Sequence, residues 1–98
     1  MSEKNEAGRP LIFSCAQGAV ELSCGDQKET FALDLHGARK AVSWALCIDE
    51  WVVVARSYGM DDCESHGIDD SSLGLWESMF WFEMLKLDPA RTRLALKS

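Results

Sequence analysis

Apolar and polar residues alternate along the first third of the chain. Leu11-Ile12-Phe13-Ser14-Cys15 is a short apolar run, and Ala16-Gln17-Gly18 breaks it. Val20, Leu22 and Cys24 then alternate with Glu21 and Ser23, the period-two mark of a half-buried strand. Gly25-Asp26-Gln27-Lys28 is a second turn, after which Phe31, Leu33 and Leu35 alternate with Thr30, Ala32 and Asp34. Three strands, at about 11–15, 19–24 and 29–34, are therefore predicted as an antiparallel meander with one wet face.

The period then changes. Leu35, Ala38, Val42, Ala45 and Leu46 fall on one stripe at helical spacing, which predicts a helix over about 35–47 with Asp34 as its N-cap. Trp44 lies almost opposite that stripe, and Gly37 weakens the first turn. Trp51-Val52-Val53-Val54-Ala55 continues the helix or forms a fourth strand at about 51–56; the β-branched run favours the strand. Tyr58 to Asp70 reads as a loop. Ser71 or Ser72 caps a second helix over about 72–87, which Asp88-Pro89 stops. Residues 89–97 fit either a short helix with Pro89 in its first turn or a strand alternating at Thr92, Leu94 and Leu96. The fold class expected is α+β, a three- to four-stranded antiparallel sheet packed by two helices. Residues 1–9 read as a flexible tail and 10–98 as a single domain.

On a helical wheel, Leu73, Trp76, Phe80, Met84 and Leu87 form one stripe that would dock on the sheet. Leu75, Met79, Phe82 and Leu85 occupy the far side, with Trp81 between the two. A helix apolar all round is normally buried all round, yet a two-layer domain of 98 residues offers one core. A C-terminal element folding over the second face, a homodimer or a hetero-partner would each account for the excess. If 82–87 instead pairs with 92–97 as a hairpin, much of it disappears.

Charge adds a second feature. The net charge is −6, and no Lys or Arg occurs between Ser57 and Leu85 while Asp61, Asp62, Glu64, Asp69, Asp70, Glu77 and Glu83 do. A surface of this sign repels phosphate backbones and attracts basic partners, so direct nucleic-acid binding is excluded. The N-terminal residues lack the apolar core of a secretory signal, and no apolar run is long enough to span a membrane. A cytoplasmic protein with reduced thiols at Cys15, Cys24, Cys47 and Cys63 is expected.

Candidate chemistry is sparse. Cys63-Glu64-Ser65-His66 places Cys63 and His66 within reach of one metal ion, but the second ligand pair that zinc needs is missing. An EF-hand loop starting at Asp62 would put Leu73 where a bidentate Glu belongs. No phosphate-binding glycine motif and no nucleophile motif occurs, so no metal, no cofactor and no enzymatic activity is expected.

In size and charge the chain resembles nuclease immunity proteins and phage anti-defence inhibitors. That resemblance implies a small acidic module that blocks a basic, nucleic-acid-handling partner. The expected contact residues are Asp61, Asp62, Glu64, Asp69 and Asp70 for steering, with Leu75, Met79, Trp81, Phe82 and Trp44 as anchors. The alternatives are a Cys/His metal-binding or redox-sensing regulator, and a homodimeric structural adaptor.

Overall fold

A computed structural model describes residues 9–48, 51–58, 63, 65 and 67–97, with only the backbone of Val52, Asp70 and Lys97. Residues 1–8 of the tail expected over 1–9 lie outside the described residues, and Arg9 belongs to the first strand, where it pairs with Trp51. Strands β1 (Arg9–Ala16), β2 (Ala19–Cys24) and β3 (Gln27–Phe31) form the expected antiparallel meander. Two-residue turns join them. Gln17 and Gly18 both have positive φ, and in the second turn Gly25 has φ +62°; such turns match the right-handed twist of the paired strands. The tight second turn starts β3 at Gln27, two residues earlier than the hydrophobic pattern implied.

Helix α1 (Leu35–Leu46) follows, with Asp34 Oδ1 accepting the Gly37 N–H at 2.7 Å. Gly37 has a steric reason to be glycine: a Cβ there would overlap the Ala32 carbonyl oxygen. The chain then returns as β4 (Trp51–Ser57), which pairs with β1 in parallel. This departs from the wholly antiparallel sheet expected above. A strand entered through a helical crossover, and not a hairpin, arrives in the parallel sense. The resulting sheet is mixed, in the order β3-β2-β1-β4.

Two further helices complete the domain, α2 (Asp70–Leu87) and α3 (Pro89–Lys97). Asp69, and not Ser71 or Ser72, caps α2, its Oδ1 accepting the Ser72 N–H at 2.8 Å. Asp88 both ends α2 and starts α3, accepting the Arg91 N–H at 3.1 Å and the Thr92 N–H at 3.0 Å. This rules out the C-terminal hairpin. Arg91 fixes α3 against the start of β4: its guanidinium lies 4.2 Å above the Trp51 ring and donates to the Ile48 and Trp51 carbonyls.

All the large core side chains lie on one face of the sheet. Leu11, Phe13, Val20 and Leu22 meet Ala38, Ala41 and Val42 of α1 and Trp76, Phe80 and Met84 of α2. Phe13 is the hub, with the rings of Trp76, Phe80 and Trp81 all within 6.3 Å of its centroid. Two of the buried indoles find acceptors in this core: Trp51 Nε1 donates to the Ala45 carbonyl at 2.9 Å and Trp76 Nε1 to the Ala32 carbonyl at 2.8 Å. No helix among the described residues is long and apolar enough to cross a membrane.

Candidate functional site

The helix α2 separates its apolar residues into two sets. Leu73, Trp76, Phe80 and Met84 are buried, as the wheel places them. On the opposite side, Leu75 and Phe82 are 64% and 63% exposed, Leu85 is 43% exposed and Met79 is half-buried. Three residues depart from the expected division. Trp81 is buried, its ring against those of Phe13 on β1, Trp51 on β4 and Phe80 on α2 itself. Leu87, at the last turn, is 62% exposed, since the core ends before it. Trp44 is half-buried with its ring against Phe31 at 6.0 Å, so it supports the sheet edge.

Between α2, β4 and α3 lies a cleft of about 530 Å³, lined chiefly by Arg56, Tyr58, Glu77, Trp81 and Leu96. Glu77 is the buried charge of this region. It sits on the core side of α2, and a carboxylate at such a depth needs a partner. Arg56 supplies one: Nε donates to both carboxylate oxygens at 2.9 and 3.0 Å, and Nη2 to one of them at 2.7 Å. The Tyr58 hydroxyl donates to Glu77 Oε2 as well. Burial, and then the bond to Glu77, push the Tyr58 phenol well above the usual tyrosine range. The bond to Glu77 likewise raises Arg56. The trio is a mutually satisfied polar plug, and its groups are committed to one another. The buried Trp81 Nε1 beside it finds no partner among the described residues.

Sequence reading missed Arg56 and Tyr58 altogether and counted Glu77 only as an acid of the base-free span. One signal was available: Glu77 falls among Leu73, Phe80 and Met84 on the wheel, and a charge on the core side of a helix calls for a buried counter-charge. Its partner lies 21 residues away, beyond any local pattern.

The folded chain also brings bases to the base-free span. Glu83 sits 3.7 Å from Arg39 of α1 and 3.4 Å from Lys86, while Glu77 holds Arg56. Asp69 stays exposed, its carboxyl held below the usual range by the Ser72 N–H. Asp70 begins α2. Asp61, Asp62, Glu64 and His66 lie outside the described residues.

Cys63 corrects the expectation of four reduced thiols. It forms a disulfide with Cys15 at the end of β1, the Cα atoms 5.8 Å apart, which also removes Cys63 as the candidate metal ligand. The contact brings together residues 48 apart in the chain, which spacing alone gives no means of pairing. Both cysteines are buried, and Ile68 N–H donates to the Cys63 carbonyl at 2.9 Å, so the approach to α2 is anchored on the sheet. Among the described residues no group of three or more His, Cys, Asp or Glu side chains could hold a metal ion. Cys47 is an exposed thiol.

The fold defines the class as α+β, a mixed four-stranded sheet with its helices gathered on one face. Compared with protein-family models, curated protein sequences and solved structures, the chain matches none.

Proposed function

We propose that this protein is a small protein-binding module that acts by occupying a partner's surface, in the manner of an inhibitor or immunity-type blocker. The observation that carries this reading is the exposed row Leu75, Phe82 and Leu85 on a helix whose other side is already committed to the core. Leu96 of α3, 56% exposed, widens the patch across the cleft. Clustered apolar surface of this kind marks an interaction site, and a large aromatic at its centre is a favoured anchor.

The net charge of −6 supports a partner with a basic surface, such as a nucleic-acid-handling protein. Within the described residues Glu77 and Glu83 are already paired. The apolar row therefore holds the partner in this reading, and the net negative charge, with exposed Asp69 among its sources, steers its approach. No catalytic role is proposed for Arg56, Tyr58 and Glu77, whose polar groups satisfy each other.

The Cys15–Cys63 bond favours a second reading, a redox-responsive module. In a reducing cytoplasm such a bond persists only as a regulatory or transient link, so a cytoplasmic location and redox response go together here.

Affinity capture from host lysate tests the first reading. Wild-type protein is compared with Leu75→Glu/Phe82→Glu and with Asp69→Asn/Asp70→Asn. A partner lost with the first variant and weakened with the second is expected. Equal capture by wild type and by Leu75→Glu/Phe82→Glu would overturn the site.

A further inference from the structure

The Cys15–Cys63 bond and the cluster of Arg56, Tyr58 and Glu77 are neighbours on one face of the sheet. In the parallel pairing of β1 with β4, Phe13 stands beside Arg56 and Ser14 beside Ser57, so the next position brings Cys15 to Tyr58. Residues alternate across a strand, and Arg56 faces the core side, its guanidinium carbon 6.0 Å from the centre of the Phe13 ring. Cys15 and Tyr58 are the next residues of their chains to face that side. Cys63 follows Tyr58 closely and leads into α2: its carbonyl accepts the Ile68 N–H, and Asp69 caps the helix. Glu77, which accepts the Tyr58 hydroxyl, lies about two turns into that helix. The chain thus runs from Tyr58 to its partner Glu77 by way of Cys63, and the disulfide fixes this connection to β1.

We propose that the redox state of Cys15 and Cys63 controls the contact between Tyr58 and Glu77, so that reduction loosens the start of α2 and the cleft wall that these two residues form. This rests on the redox-responsive reading and names what the bond regulates. The step is thiol–disulfide exchange with a dithiol reductant. A reductant thiolate attacks one sulfur, and the other cysteine leaves as a thiolate and takes up a proton. The second reductant thiol then releases the remaining cysteine from the mixed disulfide. Two cysteine thiols and the disulfide of the reductant are the products. Bonded sulfurs sit inside van der Waals contact, whereas freed thiols must stand apart. Both cysteines are buried in a close-packed interior, so that displacement is passed on to their neighbours. Cys15 belongs to β1, an inner strand paired on both edges, while Cys63 lies in the connection between β4 and α2. Cys63 is therefore the one that moves. Arg56 still holds Glu77 to the sheet, which keeps the change local to the Tyr58 contact and the first turns of α2.

Tyr58 is the single tyrosine of the chain and reads the contact directly. Wild type with the bond intact is compared with wild type held reduced by dithiothreitol and with Cys15→Ser/Cys63→Ser, the far-ultraviolet spectrum at the same pH establishing that each is folded. The reduced protein and the variant should show tyrosinate absorbance about one unit above the ordinary value of about 10, where the bonded protein shows none. At neutral pH, deuterium uptake across the first two turns of α2 should quicken about tenfold or more, with β1 to β3 unchanged. A folded, reduced protein whose Tyr58 titration and α2 exchange match those of the bonded protein would overturn the proposal. Loss of all structure on reduction would overturn it too, since the bond would then be a general staple and not a local control. Partner capture separates this proposal from the reading beneath it. Capture that responds to reduction while Tyr58 does not would remove the control and leave the redox-responsive reading standing. A Tyr58 response with unchanged capture would do the reverse.

Discussion

The Arg56 guanidinium on β4 clasps the Glu77 carboxylate on α2 through three N–H···O contacts of 2.7 to 3.0 Å, fastening the sheet edge to the helix that carries the exposed row. The two partners are unequally exposed, with the Arg56 side chain half in solvent and that of Glu77 only 11% exposed. Losing one is therefore not equivalent to losing the other. Arg56→Ala leaves a nearly buried carboxylate with only Tyr58 and should cost about 2–3 kcal/mol. Glu77→Gln keeps an acceptor for Tyr58 and frees Arg56 to water, so it should cost about 1 kcal/mol. Urea unfolding of the two variants and their double mutant checks this order; equal losses would mean that the pair is not desolvated.

Tyr58 is the chain's single tyrosine, so tyrosinate absorbance reports it alone. Its folded pKa lies above the unfolded value of about 10, so the contribution of its neutral, buried form is complete below that pH. As pH rises beyond it, the unfolded chain releases a proton that the native chain retains, and stability falls. The expected outcome is no tyrosinate signal from folded protein about one unit above the ordinary value, with the signal appearing on unfolding. Tyr58→Phe should abolish this part of the alkaline slope.

The Cys15–Cys63 bond restrains the unfolded chain across a separation of 48 residues, worth about 4 kcal/mol on loop-closure grounds. Dithiothreitol, or Cys63→Ser, should lower the unfolding free energy by that order, and the intact mass of alkylated protein should report the thiols gained. Unchanged stability after complete reduction would contradict a constraining role. Under the redox-responsive reading, reduction should also alter partner capture.

Two helix glycines should respond oppositely to alanine. Gly37→Ala drives a methyl into the Ala32 carbonyl and should destabilise the fold by about 1–3 kcal/mol despite its better helix propensity. Gly74→Ala enters open space in the interior of α2 and should stabilise it by about 0.5–1 kcal/mol. Thermal melts of both variants test the pair.

Much of the architecture was legible because it is local. The alternation at Val20, Leu22 and Cys24 forces one strand face inward, and the 3.6-residue repeat through Leu73, Trp76, Phe80 and Met84 sets the buried side of α2 whatever it packs against. The exposure of Leu75, Phe82 and Leu85 follows from the same wheel, given a core with only one face to offer. Asp34 as a cap followed from its place before an apolar repeat. The class of a two-layer α+β domain was thus set by periodicity alone.

The tertiary structure decided whatever depends on which distant segments meet. A Val-rich run prefers to be a strand, but only the crossover through α1 brings β4 beside β1 and makes the pairing parallel. For residues 89–97 the strand pattern and the helix start were locally comparable; the Asp88 cap and the docking of Arg91 on Trp51 tipped them to helix. The Cys15–Cys63 bond, the Arg56–Glu77 clasp and the pairing of Glu83 with Arg39 each join elements that sequence spacing leaves unrelated. Sequence determined how the apolar side chains divide between the two sides of α2, because side-chain direction on a helix is fixed by its pitch. Only the fold determined how the charges pair, because ion pairs and disulfides depend on distances through space.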